Sequence, residues 1–262
     1  MFALERVKKI KEILLEYKHV DINTLCSLLS VSIATVRRDL DKLEEEGFLI
    51  KTHGGAILND TGESEVQLCN FDDPFIEEKV QIGIIASEMV ENNDIIFIGS
   101  GNTCLQIAKS IKDKRNVTVV TNNINIVLEL ASCRNTNVIM PGGDLEVVDN
   151  CLGMVGQYTL NNIEKMFINK SFITVDGISL EYGYTVNSRE QAALCRLLIS
   201  NSNETVLVAN YSKFGKRAFT QIGPIDLFKK VITNVQLANE YKEYYFDNGI
   251  KLFTTYEENR KD

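Results

Sequence analysis

Over residues 4–17 the apolar side chains Leu4, Val7, Ile10, Ile13, Leu14 and Tyr17 recur every three or four positions, the period of a helix that buries one stripe. A second, shorter helix carrying Leu25, Leu28 and Leu29 is expected after Asn23, a competent cap. Val31 and Ser32 interrupt the pattern. Ser32 can cap a third helix over residues 33–46 that buries Ile33, Val36, Leu40 and Leu43, and Gly47 stands where that helix should stop. The opposite side of its first turns then presents Ala34, Thr35, Arg37, Arg38 and Asp41. Residues 48–51 and 56–58 read as two short strands around Gly54-Gly55.

Periodicity lapses over residues 59–75, where polar residues, Gly62 and Pro74 gather, as in a linker. Three segments follow: a domain over residues 1–58, a linker over 59–75 and a larger domain over 76–262. In the larger domain, apolar runs at 95–98, 117–120, 138–140, 172–175, 205–208, 231–233 and 251–253 alternate with helical patterns. The helices start at Asn102, Asn123 and Ser188, with another near Leu237. Continuous apolar strands separated by helices predict an α/β fold with a doubly wound parallel sheet covered on both faces. Ligands of such sheets bind at the carboxyl ends of the strands.

Charge changes this picture locally. The net charge is -8, but residues 1–60 carry only 9 Lys+Arg against 10 Asp+Glu, so the acidity belongs to the larger domain. In the first segment Arg6, Lys8, Lys9, Lys11, Arg37, Arg38 and Lys51 stand apart from the acids Glu44, Glu45 and Glu46, which permits a basic face. Six cysteines without a C-x-x-C pair and only two histidines, His19 and His53, suggest neither a zinc site nor a disulfide framework, and no metal or cofactor is expected. A mean hydropathy of -0.07 and a charged, amphipathic start in place of an apolar leader point to a cytoplasmic protein.

Two helices, a tight turn and a short polar face with adjacent arginines are the ingredients of a helix-turn-helix, and the two strands add a wing. Arginine can fork onto guanine O6 and N7 or clamp a phosphate. The alternative is a helical oligomerisation module in which Arg37 and Arg38 pair with acids such as Asp41. The run Val31-Ser32-x-x-Thr35-Val36-Arg37-Arg38-Asp39-Leu40-x-x-Leu43-Glu44-x-x-Gly47, followed by His53-Gly54-Gly55-Ala56, resembles the DNA-binding signature of the DeoR family of bacterial transcription regulators. That resemblance implies operator contacts from Ser32, Thr35, Arg37, Arg38, Lys51 and His53.

In the larger domain the strand-end turns are Gly99-Ser100-Gly101-Asn102-Thr103, Thr121-Asn122-Asn123, Gly142-Gly143-Asp144, Asp176-Gly177, residues 184–190, and Ser212-Lys213-Phe214-Gly215. The first joins a strand to a helix, where glycines and a helix N-terminus suit a phosphate, although a plain tight turn explains the residues equally well. Together these turns resemble the sensor half of the DeoR family, a fold similar to ribose-5-phosphate isomerase that senses phosphorylated sugars. The family's phosphate loop falls on Gly99 to Thr103, its Thr-Asn pair on Thr121 and Asn122, and its Gly-Gly turn on Gly142 and Gly143. Asp176, Glu190 and Lys213 complete the expected effector set. Three positions depart from the family: Gly99 and Asn210, where Asp is common, and Cys195, where Lys is common.

The expected function is a repressor of sugar-metabolism genes whose operator binding responds to a phosphorylated sugar. A homo-oligomer, dimer or tetramer, is expected, because one small reading head buries too little surface for operator specificity. The rival is a sugar-phosphate isomerase-like enzyme with a helical appendage, using Asp176 or Glu190 as base and Lys213 beside the developing enolate.

Overall fold

The computed structural model describes residues 3–17, 19–52, 54–59, 73–148 and 151–254. The chain forms two compact units, Met1–Val66 and Gln67–Asp262. His53 and most of the linker lie outside the described residues.

The first unit runs α1 (Ala3–Tyr17), β1 (His19–Asp21), α2 (Ile22–Leu29), α3 (Ile33–Glu45), β2 (Leu49–Lys51) and β3 (Gly55–Leu58). The strands form a three-stranded antiparallel sheet in the order β1-β3-β2. Leu14, Leu25, Leu29, Val36, Leu40, Leu43 and Leu49 are buried in one cluster, while Tyr17, expected in the buried stripe of the first helix, is 60% exposed. Two further local expectations are corrected. The cap of α2 is Asp21, whose side chain accepts from the Thr24 backbone N–H at 2.9 Å. Asn23 lies inside the helix, because an Asp two residues earlier already satisfies the first free amides. Ile33 is 44% exposed, since the first turn of α3 projects beyond the core that Val36 and Leu40 enter. Strand β1 had no signal of its own: three residues at a helix boundary carry no alternation to detect. Its pairing with β3 explains Gly55, where a Cβ would stand 2.1 Å from the Val20 carbonyl oxygen.

The second unit continues with α4 (Ile76–Glu88), β4 (Ile95–Ile98), α5 (Asn102–Ser110), β5 (Val117–Thr121), α6 (Ile124–Leu130), β6 (Thr136–Ile139), β7 (Asp144–Val148), β8 (Cys151–Val155) and α7 (Gln157–Ile163). It ends with β9 (Ile168–Ile173), β10 (Gly177–Ser179), β11 (Gly183–Val186), α8 (Arg189–Asn201), β12 (Ser202–Val208), β13 (Thr220–Gly223), β14 (Lys230–Thr233), α9 (Asn239–Asp247) and β15 (Lys251–Thr254). Seven strands make one parallel sheet in the order β15-β14-β12-β9-β4-β5-β6. Along β4, Ile96 and Ile98 enter a core with α4, α5 and α6, while Phe97 enters the opposite core with α8 and α9. This two-sided burial is why the strands read as unbroken apolar runs.

Chain order reverses between β4 and β9, which lie side by side. Their carboxyl ends open the crevice where ligands of doubly wound sheets bind. A β7–β8 hairpin and a small β10-β11-β13 antiparallel sheet stand outside the main sheet. Residues 184–186, expected in a strand-end turn, are instead part of β11.

Candidate functional site

In the first unit, Ser32 caps α3, its side chain accepting from the Thr35 N–H at 3.4 Å and lying 3.0 Å from the Thr35 hydroxyl. Gly47, at φ +74°, ends the helix in the left-handed region. Between these stops Val36, Asp39, Leu40 and Leu43 face inward, and Ala34, Arg37, Arg38 and Asp41 are exposed. Asp39 is fixed by Arg6 through two hydrogen bonds, Nε–Oδ2 at 2.7 Å and Nη2–Oδ1 at 3.0 Å. Arg6 therefore pins α1 to α3 and leaves the basic face, as does Lys11, bonded to Glu46 at 2.9 Å. Asp41 is taken by Lys51, Nζ–Oδ1 2.5 Å, with Glu44 3.0 Å from the same ammonium. Arg37 and Arg38 have no ion pair among the described residues. The α3 surface thus offers two uncompensated guanidinium groups to an anion.

In the second unit a cavity of about 110 Å³ opens at the β4/β9 crevice. That room fits a small metabolite rather than a dinucleotide. One wall is the loop Gly99 to Thr103, running from β4 into α5. The Gly99 N–H donates to the Phe172 carbonyl at 3.0 Å, holding the loop to β9. Gly101 sits at φ +111° and caps α5 without a side chain of its own to accept from the amides of the first turn. A Cβ there would stand 2.9 Å from the Thr174 methyl, and a Cβ on Gly153 would stand 2.9 Å from the Ser100 hydroxyl. Ser100 Oγ and Asn122 Oδ1 are buried without a hydrogen-bond partner among the described residues, and both residues line the cavity.

Charge enters from three sides. Lys213 lies 3.8 Å from Asp176, whose carboxylate also accepts from the Asn187 N–H at 2.8 Å. Lys79 on α4 donates to Asp73 at 2.5 Å. Glu146 on β7 accepts from Gln191 on α8 at 2.6 Å. Burial works against the Asp73 carboxylate, but hydrogen bonds from Lys79 and the Phe75 N–H outweigh it and hold its pKa below the usual value. Cys195, on the same wall, is pushed up to about 12 by burial, so its thiol stays protonated and unreactive.

Two family models match the chain, a DeoR-like helix-turn-helix domain over residues 6–62 and a DeoR C-terminal sensor domain over residues 75–235. The chain belongs to the DeoR family. Among its relatives, the HTH-type transcriptional regulator IolR of Bacillus subtilis is 30% identical over 95% of this chain and 98% of its own length. The glycerol-3-phosphate regulon repressor of Escherichia coli is 28% identical over 96% and 99%. A solved ribose 5-phosphate isomerase A from Neisseria gonorrhoeae has 18% identity and a TM-score of 0.39, over 54% of this chain and 55% of its own. The protein is therefore a DNA-binding transcription regulator with a sensor domain.

Of the expected effector residues, Gly99, Ser100, Gly101, Asn102, Thr103, Asn122, Asp176 and Lys213 come together around the cavity. Thr121, Gly142, Gly143 and Glu190 do not line it. The Thr121 hydroxyl donates to the Ile98 carbonyl at 2.6 Å and accepts from the Asn123 N–H, fixing the turn after β5 from below. At Gly143 a Cβ would come within 2.1 Å of the Thr159 hydroxyl, so the Gly-Gly turn serves close packing against α7. Glu190 is exposed and accepts from Ser188 at 3.2 Å. Lys79, Glu146 and Gln191 line the cavity without having been expected there. Each is an ordinary polar residue on a helix or hairpin, and only the fold brings it to the crevice.

Proposed function

We propose that this DeoR-family protein represses sugar-metabolism genes in the bacterial cytoplasm. It reads operator DNA with α3 and the wing, acts as a homo-oligomer, and responds to a phosphorylated sugar or polyol in the crevice cavity. The observation that carries the effector reading is the loop Gly99 to Thr103. The start of a nine-residue helix that Gly101 caps without a side chain, two buried oxygens without a partner among the described residues and two lysines line one small space. A phosphate there receives backbone donors and the positive helix end, and Asn122 and Asp176 offer partners to the hydroxyls. The name of the E. coli relative supports a phosphorylated three-carbon compound as a first candidate.

An isomerase reading is weaker. Glu190 does not line the cavity, Cys195 is held protonated, and Asp176 is engaged by the Asn187 N–H and Lys213. A DNA-reading unit also has no role in an isomerase.

The test is calorimetric titration of the full chain with glycerol 3-phosphate and glucose 6-phosphate against glycerol and glucose. The expected result is tighter binding of a phosphorylated form by tenfold or more, weakened about tenfold in Lys213→Ala, as for a lost charge-assisted hydrogen bond, and abolished in Gly101→Val. Equal binding of phosphorylated and plain forms would overturn the effector reading. Conversion of either phosphate on incubation would revive the enzyme.

A further inference from the structure

We infer that Lys79 is a phosphate-binding residue of the sensor cavity and that Asp73 is its built-in competitor, so that an arriving anion must draw Lys79 away from an internal carboxylate. This rests on the reading of the cavity as a phosphate site and adds to it how occupancy is sensed.

Lys79 is the cavity's second cation, alongside Lys213, and the two are held differently. The Lys213–Asp176 pair is loose, at 3.8 Å. The Lys79–Asp73 pair is tight, at 2.5 Å, with side-chain exposures of 13% and 6%. Asp73 does not line the cavity; it gathers three donors. Besides Lys79 these are the Phe75 N–H at 3.1 Å, at the start of α4, and the Asn102 amide at 3.3 Å, in the first turn of α5. One carboxylate thus ties together a cation and a loop residue of the same cavity wall.

A phosphate seated on the α5 N-terminus lies beside Asn102 and within the wall that includes Lys79. Like charge from Asp73 opposes it, and attraction to Lys79 favours it. In a poorly solvated crevice both terms are larger than in water. The lysine can meet the phosphate only by weakening a bond to Asp73, and part of the intrinsic affinity is spent on that exchange. The exchange also gives the ligand a differential contact with two arrangements of the wall, which any effector needs in order to shift an equilibrium.

The experiment titrates the full chain with inorganic phosphate and with glycerol 3-phosphate, in wild type, Asp73→Asn, Asp73→Ser and Lys79→Met. It repeats operator binding with and without glycerol 3-phosphate. Removing the competing charge should tighten phosphate binding about tenfold in both Asp73 variants, since Asn and Ser keep an acceptor for the Phe75 N–H. It should also shrink the change in operator affinity that the ligand produces. Lys79→Met should bind phosphate at least tenfold more weakly, the size of a charge-assisted hydrogen bond. Unchanged or weaker binding in both Asp73 variants, or undiminished binding in Lys79→Met, would overturn the exchange. If those results came while Lys213→Ala still lost affinity, the cavity reading would stand and only the role of Lys79 and Asp73 would fall. Absence of phosphate binding by the wild type would overturn both.

Discussion

The two units present their cations in opposite ways. In the DNA-reading unit Arg37 and Arg38 stand in solvent without ion-pair partners among the described residues. In the sensor cavity each lysine is matched by a carboxylate, and it stands beside the Gly99–Thr103 loop and uncharged polar side chains such as Ser100, Asn122 and Gln191. The difference follows from the size of the partner. A polyanion covers a broad surface, keeps its charges near water and releases counterions, so free surface arginines suffice and affinity falls steeply with salt. A small anion must leave water to be recognised, so the site has to present fixed dipoles and avoid buried unpaired charge. The same contrast appears in the overall balance, net -1 for residues 1–60 and -7 for the rest. An acidic domain can still hold an anion if its donors are concentrated on one helix end.

The strongest way to break this comparison is to remove one unit and keep the other. The DNA-reading unit has ten buried apolar residues in its core cluster among the described residues, and Leu40 is 1% exposed within it. Leu40→Ala should cost about 2 to 5 kcal/mol, a large share of the stability of so small a domain. Operator binding should disappear at growth temperature while phosphate affinity in calorimetry stays within twofold of wild type. Loss of both would show that the two anion sites do not depend on separate cores.

The next largest effect concerns the arginines themselves. Arg37→Ala and Arg38→Ala, followed by fluorescence anisotropy over a salt series, should divide into two behaviours. A base-reading arginine costs about 1 to 3 kcal/mol and relaxes sequence preference, whereas a phosphate contact weakens all sequences alike and reduces the salt slope by about 1. Unchanged affinity in both variants would remove α3 from the DNA interface. Phosphate binding by the sensor should show a far shallower salt dependence, because its contacts are buried and short-ranged.

How much of this was legible in the sequence differs by feature. The sheet was readable because β4, β5, β12 and β14 are buried on both faces and appear as unbroken apolar runs. Caps such as Ser32, Asn123 and Ser188 lie where an acceptor side chain precedes a periodic segment, and each accepts from an amide of its helix. The α2 cap was misplaced because Asp21 and Asn23 have equal local claims and only the folded turn decides between them. Of the cavity, the residues on strand-end loops could be named in advance. Lys79 and Gln191 could not, because a polar residue inside a helix looks the same whether it faces solvent or a crevice. Glu146 belongs to the β7–β8 hairpin, whose exposed Leu145 and Val147 give no inside-outside alternation to follow. The familiar Thr121 and Gly142-Gly143 have structural work beside the site: the turn after β5 and the approach to α7.

The smallest expected effect sharpens the comparison most finely, because both units hold a lysine on an internal carboxylate. Lys51 in the wing is bound by Asp41 and Glu44, as Lys79 is bound by Asp73. Hydrogen bonds from the Lys51 amide and side chain lower the Glu44 pKa, while hydrogen bonds to Asp41 and Glu44 raise that of Lys51. These groups are solvent-exposed, so the pairs are screened and cost little to open. If Lys51 meets a DNA phosphate, Lys51→Ala should leave thermal stability nearly unchanged and reduce the salt slope of operator binding by about 1. Asp41→Asn should tighten operator binding by about twofold at low salt, an advantage that vanishes near 0.5 M as screening sets in. The corresponding gain in Asp73→Asn should be larger and should survive that salt, because its pair is buried. Equal gains, or equal loss of both with salt, would mean that burial does not distinguish the two sites and that the contrast between the units is one of sequence alone.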